Sequence, residues 1–199
     1  MARALAKDHH DKRDQILKCA ASVFATDGFD RASMASVAAA TGISKATIYH
    51  YFSSKDELLF GILDNHLSKL KQRIVSLEFD SSDPVFKFER TVREILLAYH
   101  GVDDEHQVQI NALSQVPKPQ QTILKAYQAE LVNHLSTLLL DVAPHYFLND
   151  KQKVRSTSMS IFGMLNWFYL WNRKATKQAR VEYAALVCDL ILNGIIDAR

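Results

Sequence analysis

The residues able to do chemistry crowd one short stretch of this 199-residue chain, Ser44-Lys45-Ala46-Thr47-Ile48-Tyr49-His50, with Ser33 upstream and Lys55 downstream. Hydroxyl, ammonium, phenol and imidazole groups at this density are hydrogen-bond donors of a length that suits phosphate oxygens and base edges. They do not form a catalytic set. HExxH, CxxC and GxSxG motifs are absent, and no pair of carboxylates stands out. His66, His100, His106, His134 and His145 are scattered without metal-ligand spacing, and His9-His10-Asp11 falls in a polar stretch that reads as a frayed arm. No enzyme activity, no metal and no cofactor is expected. Cys19 and Cys188 lie far apart in apolar helical patterns, so no disulfide framework is indicated and a reducing cytoplasm follows.

The elements that must hold these residues are helices. Gly numbers 6 and Pro 4, too few for the many tight turns of a sandwich or barrel, and no glycine-rich phosphate loop occurs. With 48% hydrophobic residues there is ample apolar surface for a core. The first dozen residues are polar, and a helical pattern starts at Asp11, with Ile16, Ala20, Val23 and Phe24 on one face. Gly28 suits a left-handed helix end. Ser33 reads as the N-cap of a short helix faced by Met34, Val37 and Ala38, and Thr41-Gly42 interrupts it. Ser44 caps a second short helix to Tyr51 or Phe52. Asp56 or Glu57, three residues after a serine, reads as a capping box opening a longer helix to about Leu77. After Pro84, longer helices are expected at about 84–100, 103–115, 119–142, 149–172 and 178–197.

Two short helices joined by a glycine-bearing turn describe a helix-turn-helix over 33–52. An ordinary helical corner with a solvated face fits the same spacing. In either case Gly42 supplies the positive φ, Ile43 plugs the gap between the helices, Val37, Ala38 and Ile48 form a small core, and Ala38, Ala39 and Ala40 are small enough for close approach.

The stretch Gly28-Phe29, Ser33, Val37-Ala38, Gly42-Ile43-Ser44-Lys45-Ala46-Thr47-Ile48-Tyr49-His50-Tyr51-Phe52 and Lys55-Asp56-Glu57-Leu58 closely resembles the TetR family of one-component transcriptional regulators, across about residues 10–60. The resemblance implies an all-α fold of about nine helices. Residues 1–53 would be an N-terminal helix-turn-helix DNA-binding domain and 54–199 a C-terminal domain for ligand binding and dimerisation. It implies a cytoplasmic homodimer, held by its last two helices, on a double-stranded pseudo-palindromic operator. Lys45 and Thr47 then look like recognition-helix contacts, Tyr49 like a phosphate-contacting tyrosine with His50 beside it, and Lys55 like a phosphate ligand at a helix N-terminus. Ser33 and Ser44 look like caps that also reach phosphates, with capping alone the equal alternative. Ala46 stands where the family often has glycine, and its methyl favours a thymine methyl as neighbour. Charge adds modest support: residues 1–56 hold eight Lys and Arg against six Asp, which accounts for the whole net charge of +2. Arg3 and Lys7 in the arm would add contacts.

The segment from Ile161 to Trp171 is apolar on all sides of a helix, and is too short and too interrupted to span a bilayer. A subunit interface on one face and a pocket on the other would explain it, as would plain core packing. Phe88, Tyr99, Met164, Trp167, Phe168 and Trp171 are the expected aromatic lining of a ligand cavity, with Gln109, Asn111 or Asn166 as polar handles for a small, mostly apolar effector. A shorter similarity, from Phe162 to Arg173 and through the last helix, looks like regulators of lipid or sterol catabolism that answer to acyl-CoA thioesters. Arg173, Lys174 and Lys177 would then meet phosphates, or else form a solvated basic loop. Hydrophobic drugs or plant aromatics, as sensed by efflux-pump repressors, are the rival ligand class, and a helical-bundle enzyme or carrier is the remote alternative.

Overall fold

The computed structural model describes residues 2–147 and 150–196, with backbone alone at 2–8, 10, 195 and 196. Among the described residues there are ten α-helices and no strand. They are α1 (Ala2–Asp27), α2 (Met34–Thr41), α3 (Lys45–Tyr51), α4 (Lys55–Val75), α5 (Pro84–Ala98), α6 (Asp103–Ala112), α7 (Lys118–Val142), α8 (Pro144–Phe147), α9 (Lys151–Trp171) and α10 (Lys177–Ile196). A 3-10 turn, Leu113–Gln115, follows α6. The expected all-α class holds, with one helix more than anticipated because Pro144 opens the single turn of α8 where the sequence suggested only a break.

The N-terminal stretch corrects the reading of an arm. Backbone from Ala2 onward is helical and continuous with α1. Ala, Leu, Lys and Arg are strong helix formers, and no Gly or Pro interrupts them before Gly28. The side chains of Arg3 and Lys7 lie outside the described ones.

Backbone contacts gather the chain into two compact units. The first comprises residues up to Leu67 with Asp104–Leu124; the second comprises Ser68–Asp103 with the rest from Lys125. In the first unit, the α1 stripe Ile16, Leu17, Ala20, Ala21 and Phe24 is buried, together with Val37, Ile48, Phe52, Leu58, Leu59, Ile62 and Leu63. Gly61 of α4 lets Leu17 and Phe52 close in: a Cβ there would stand 3.1 Å from a side-chain carbon of each.

In the second unit, Asp83 caps α5 by accepting from Val85 and Phe86 N–H, and Pro84 takes the first helical position. Phe88, Val92 and Ile95 of α5 pack with Leu135 and Leu139 of α7, Phe147, and Ile161, Leu165 and Phe168 of α9. Each fully buried phenylalanine among them contributes about 1.5–3 kcal/mol. Two polar features are built into this core. Glu94 pairs with Arg73 at 2.8 Å and Arg90 at 3.4 Å, and the hydroxyls of Ser136 and Ser158 meet at 2.8 Å. Among the described residues no helix is long and apolar enough to cross a membrane.

Candidate DNA-binding surface

The helix-turn-helix is locally determined. Ser33 accepts from the Ser36 N–H, and the Ser36 hydroxyl accepts in turn from the Ser33 N–H at 2.9 Å, a reciprocal capping box. At the other end of α2, Gly42 takes φ of 69°. Its N–H reaches Ala39 and that of Ile43 reaches Ala38, the paired bonds of a Schellman motif. Val37, Ala38 and Ile48 are buried as the sequence indicates, whereas Ala39 and Ala40 face outward and Ile43 is half-buried. Close approach therefore rests on Ala38 alone among the three alanines.

Ser44 caps α3, its hydroxyl accepting from the Thr47 N–H at 3.0 Å and lying 2.8 Å from the Thr47 hydroxyl. Lys45, Ala46, Tyr49 and His50 are exposed, and Thr47 is half-buried. The Lys45 ammonium lies 5.9 Å from the Tyr49 ring. His9 of α1 stacks on Tyr51 at 4.6 Å and stands edge-on to His50 at 6.4 Å. The capped helix thus presents donors from one face while Ile48, and Phe52 just beyond it, anchor the other.

Lys55 is placed differently from a free phosphate ligand. Its ammonium donates to the carbonyls of Phe29 (2.7 Å), Ala32 (3.0 Å) and Asp30 (3.2 Å), and sits 4.4 Å from the Phe29 ring centre. Two residues on, the Glu57 carboxylate accepts from the Ser53 hydroxyl (2.6 Å) and N–H (2.7 Å). These bonds hold its carboxyl below the ordinary value. Ser54 completes the cap by accepting from the Glu57 N–H. The sequence marks the capping box, but carries no signal for the Phe29, Asp30 and Ala32 carbonyls, which lie 23 to 26 residues away.

The expected ligand-lining residues divide between the units: Phe88, Tyr99, Met164, Asn166, Trp167, Phe168 and Trp171 lie in the second, and Gln109 and Asn111 in the first. Phe88, Tyr99 and Phe168 are buried in the second unit's core, where the Tyr99 hydroxyl donates to Asn166 at 2.9 Å. Met164 is half-buried, its carbonyl accepting from Tyr183 at 3.3 Å. Trp167 and Trp171 are 60% and 63% exposed. Gln109 belongs to the first unit, hydrogen-bonded to His66, and Asn111 is exposed there. Helix α9 turns Ile161, Phe162, Leu165 and Phe168 inward and Met159, Trp167, Leu170 and Trp171 outward, which is how a helix apolar on all sides is accommodated. Helix α10 likewise exposes Leu186 and Leu190. A groove of about 200 Å³ runs between α5 and α10 past Phe86, Arg90, Arg93 and Cys188. Burial, with the nearby Glu89 and Asp189 carboxylates, pushes the Cys188 thiol up to about 12. Arg173 and Lys174 are exposed in the turn before α10, Lys174 with φ of 56°.

Residues 16–62 match the description "Bacterial regulatory proteins, tetR family", and residues 81–195 match "Tetracyclin repressor-like, C-terminal domain". A TetR-family transcriptional regulator from Bordetella parapertussis 12822 has a similar structure, with TM-score 0.84 and 30% identity over 94% of this chain and 97% of that one. The transcriptional repressor NicS of Pseudomonas putida is 25% identical over 92% of each chain. The structure of AibR in complex with isovaleryl coenzyme A and operator DNA superposes with TM-score 0.73 and 21% identity, covering 90% of this chain and 97% of that one, a likeness of fold. From the capped helix-turn-helix to the last helix, this chain belongs to the tetR family of bacterial regulatory proteins, DNA-binding transcription factors rather than enzymes.

Proposed function

We propose that the chain is a repressor that dimerises through α9 and α10, binds a pseudo-palindromic operator, and lets go when a mostly apolar effector binds. The observation that carries this reading is the capped α3 with Lys45, Tyr49 and His50 exposed on one face. In it, Ser33, Ser44, Lys45, Ala46, Thr47, Tyr49 and His50 face the duplex from within residues 1–53, and residues 54–199 sense and dimerise. The large apolar side chains that α9 and α10 turn outward, Trp167, Leu170 and Trp171 with Leu186 and Leu190, support the dimer, since exposed apolar surface marks an interaction site.

An acyl-CoA thioester is the effector class we favour, because the AibR complex pairs such a ligand with operator DNA on this fold. Arg173, Lys174 and Lys177 would meet its phosphates. Its acyl chain would enter the second unit's core beside Tyr99 and Asn166, whose hydrogen bond offers a polar handle. The ligand shifts the dimer toward a state unable to bind DNA only to the extent that it binds that state better. The test is release of bound duplex titrated with acyl-CoAs, free fatty acids and hydrophobic cations. Release by acyl-CoAs that weakens in Arg173→Ala and Lys177→Ala supports the reading. Release by cations alone, indifferent to those changes, overturns it in favour of a drug-sensing repressor.

A further inference from the structure

We infer that Lys55 is a positioning residue that sets the placement of the helix-turn-helix, and that it does not bind DNA phosphate. An ammonium has three N–H donors, and in Lys55 three carbonyls of the α1–α2 turn receive them. The aromatic face of Phe29 covers the same charge. Those carbonyls end one residue before Ser33, the cap from which α2 starts. The carboxylate of Glu57, in the same first turn of α4, holds Ser53, which lies two residues past the end of α3. The first turn of α4 therefore grips the chain where it enters α2 and again where it leaves α3. Between the two grips, the Gly42 turn fixes α3 against α2 by its own backbone bonds. Loosening the Lys55 grip frees the entry end and lets α3 change its angle, with Lys45, Tyr49 and His50 carried along.

The inference rests on the DNA-binding reading, and the test separates the two. The full-length parent selects a duplex from a randomised library; a parent that selects none overturns the DNA-binding reading itself. Affinity for the selected duplex is then measured against salt for the parent, Lys55→Met and Lys55→Arg. Lys55→Met should bind about tenfold more weakly with an unchanged slope of log affinity against log salt, since each lost phosphate contact would flatten that slope by about 0.9. Lys55→Arg, which keeps the donors, should recover most of the loss, and amide exchange across 28–33 should quicken in Lys55→Met. A flattened slope with unchanged exchange makes Lys55 a phosphate ligand and overturns the inference. A lowered melting temperature with unchanged affinity of the folded protein overturns it too. Should Lys55→Met fail to fold, the parent's own ammonium decides. Its nitrogen-15 signal should exchange slowly in the free dimer and keep its shift on the duplex; a signal that sharpens only on DNA overturns the proposal.

Discussion

The guanidinium of Arg180, 1% exposed in α10, donates to Asp103 Oδ1 at 2.5 Å at the start of α6. Its Nε also reaches the Ala175 carbonyl at 3.3 Å, and its charge lies 5.8 Å from the Phe168 ring. Removing the carboxylate strands a cation inside the unit. Asp103→Ala should therefore lower stability to urea by about 3 kcal/mol, at the lower end for a broken buried pair because Asp103 is partly exposed. Asp103→Ala with Arg180→Met should recover much of the loss. A single variant no weaker than the double one would show that the pair does not matter.

The recognition helix yields a second expectation. Tyr49→Ala should weaken binding to all duplexes alike, and Lys45→Ala should narrow the gap between preferred and random sequence. Ser44→Ala should cost about 1 kcal/mol of stability through the lost cap. Binding curves on selected and scrambled duplexes check the first two. Parent-like curves would remove these residues from the interface.

Acid sensitivity follows from His66. It is buried in α4, 5.9 Å from the His106 ring. Burial first, then the charge of His106, lowers its pKa from 6.5 to about 3, against an opposing hydrogen bond with Gln109. An unfolded chain takes up this proton near 6.5, and the folded one does not until about 3. Stability from this residue is thus full above about 6.5 and falls as pH drops toward about 3, by up to about 1.4 kcal/mol per pH unit. His66→Gln should flatten the urea midpoint between pH about 7 and about 5; an equally steep decline in the variant would place the effect elsewhere.

The outward faces of α9 and α10 predict assembly. Trp167→Glu combined with Leu190→Glu puts carboxylates on both faces, where desolvation opposes burial. Sedimentation should show a dimeric parent and a monomeric, still helical variant with much weaker duplex binding. A dimeric variant would send the interface to another face.

The helix-turn-helix was legible because its determinants are local. Ser33, Gly42 and Ser44 act on backbone groups a few residues away, so their spacing alone fixes where α2 and α3 begin and end. Lys55 was legible as a helix start but not as a clamp, because its acceptors come from the α1–α2 turn and meet it only through tertiary packing. The tryptophans show the same limit. An α9 apolar on every side says that something covers it, and does not say which side holds Phe168 and which holds Trp167. The amide of Gln109 suits a polar handle on chemistry alone, while the chain places it in the other unit beside His66. The polarity of the N-terminal stretch suggests an arm, whereas its residue types favour the helix that forms there.

The burial of Cys188 has a practical consequence. With its thiol held near 12 and only 2% exposed, it is scarcely available to alkylating reagents at neutral pH. Cys19, half-buried on α1, is the other cysteine of the sequence. A maleimide dye should accordingly settle on the DNA-binding head of the native chain, giving an optical reporter of its movement without any engineered cysteine.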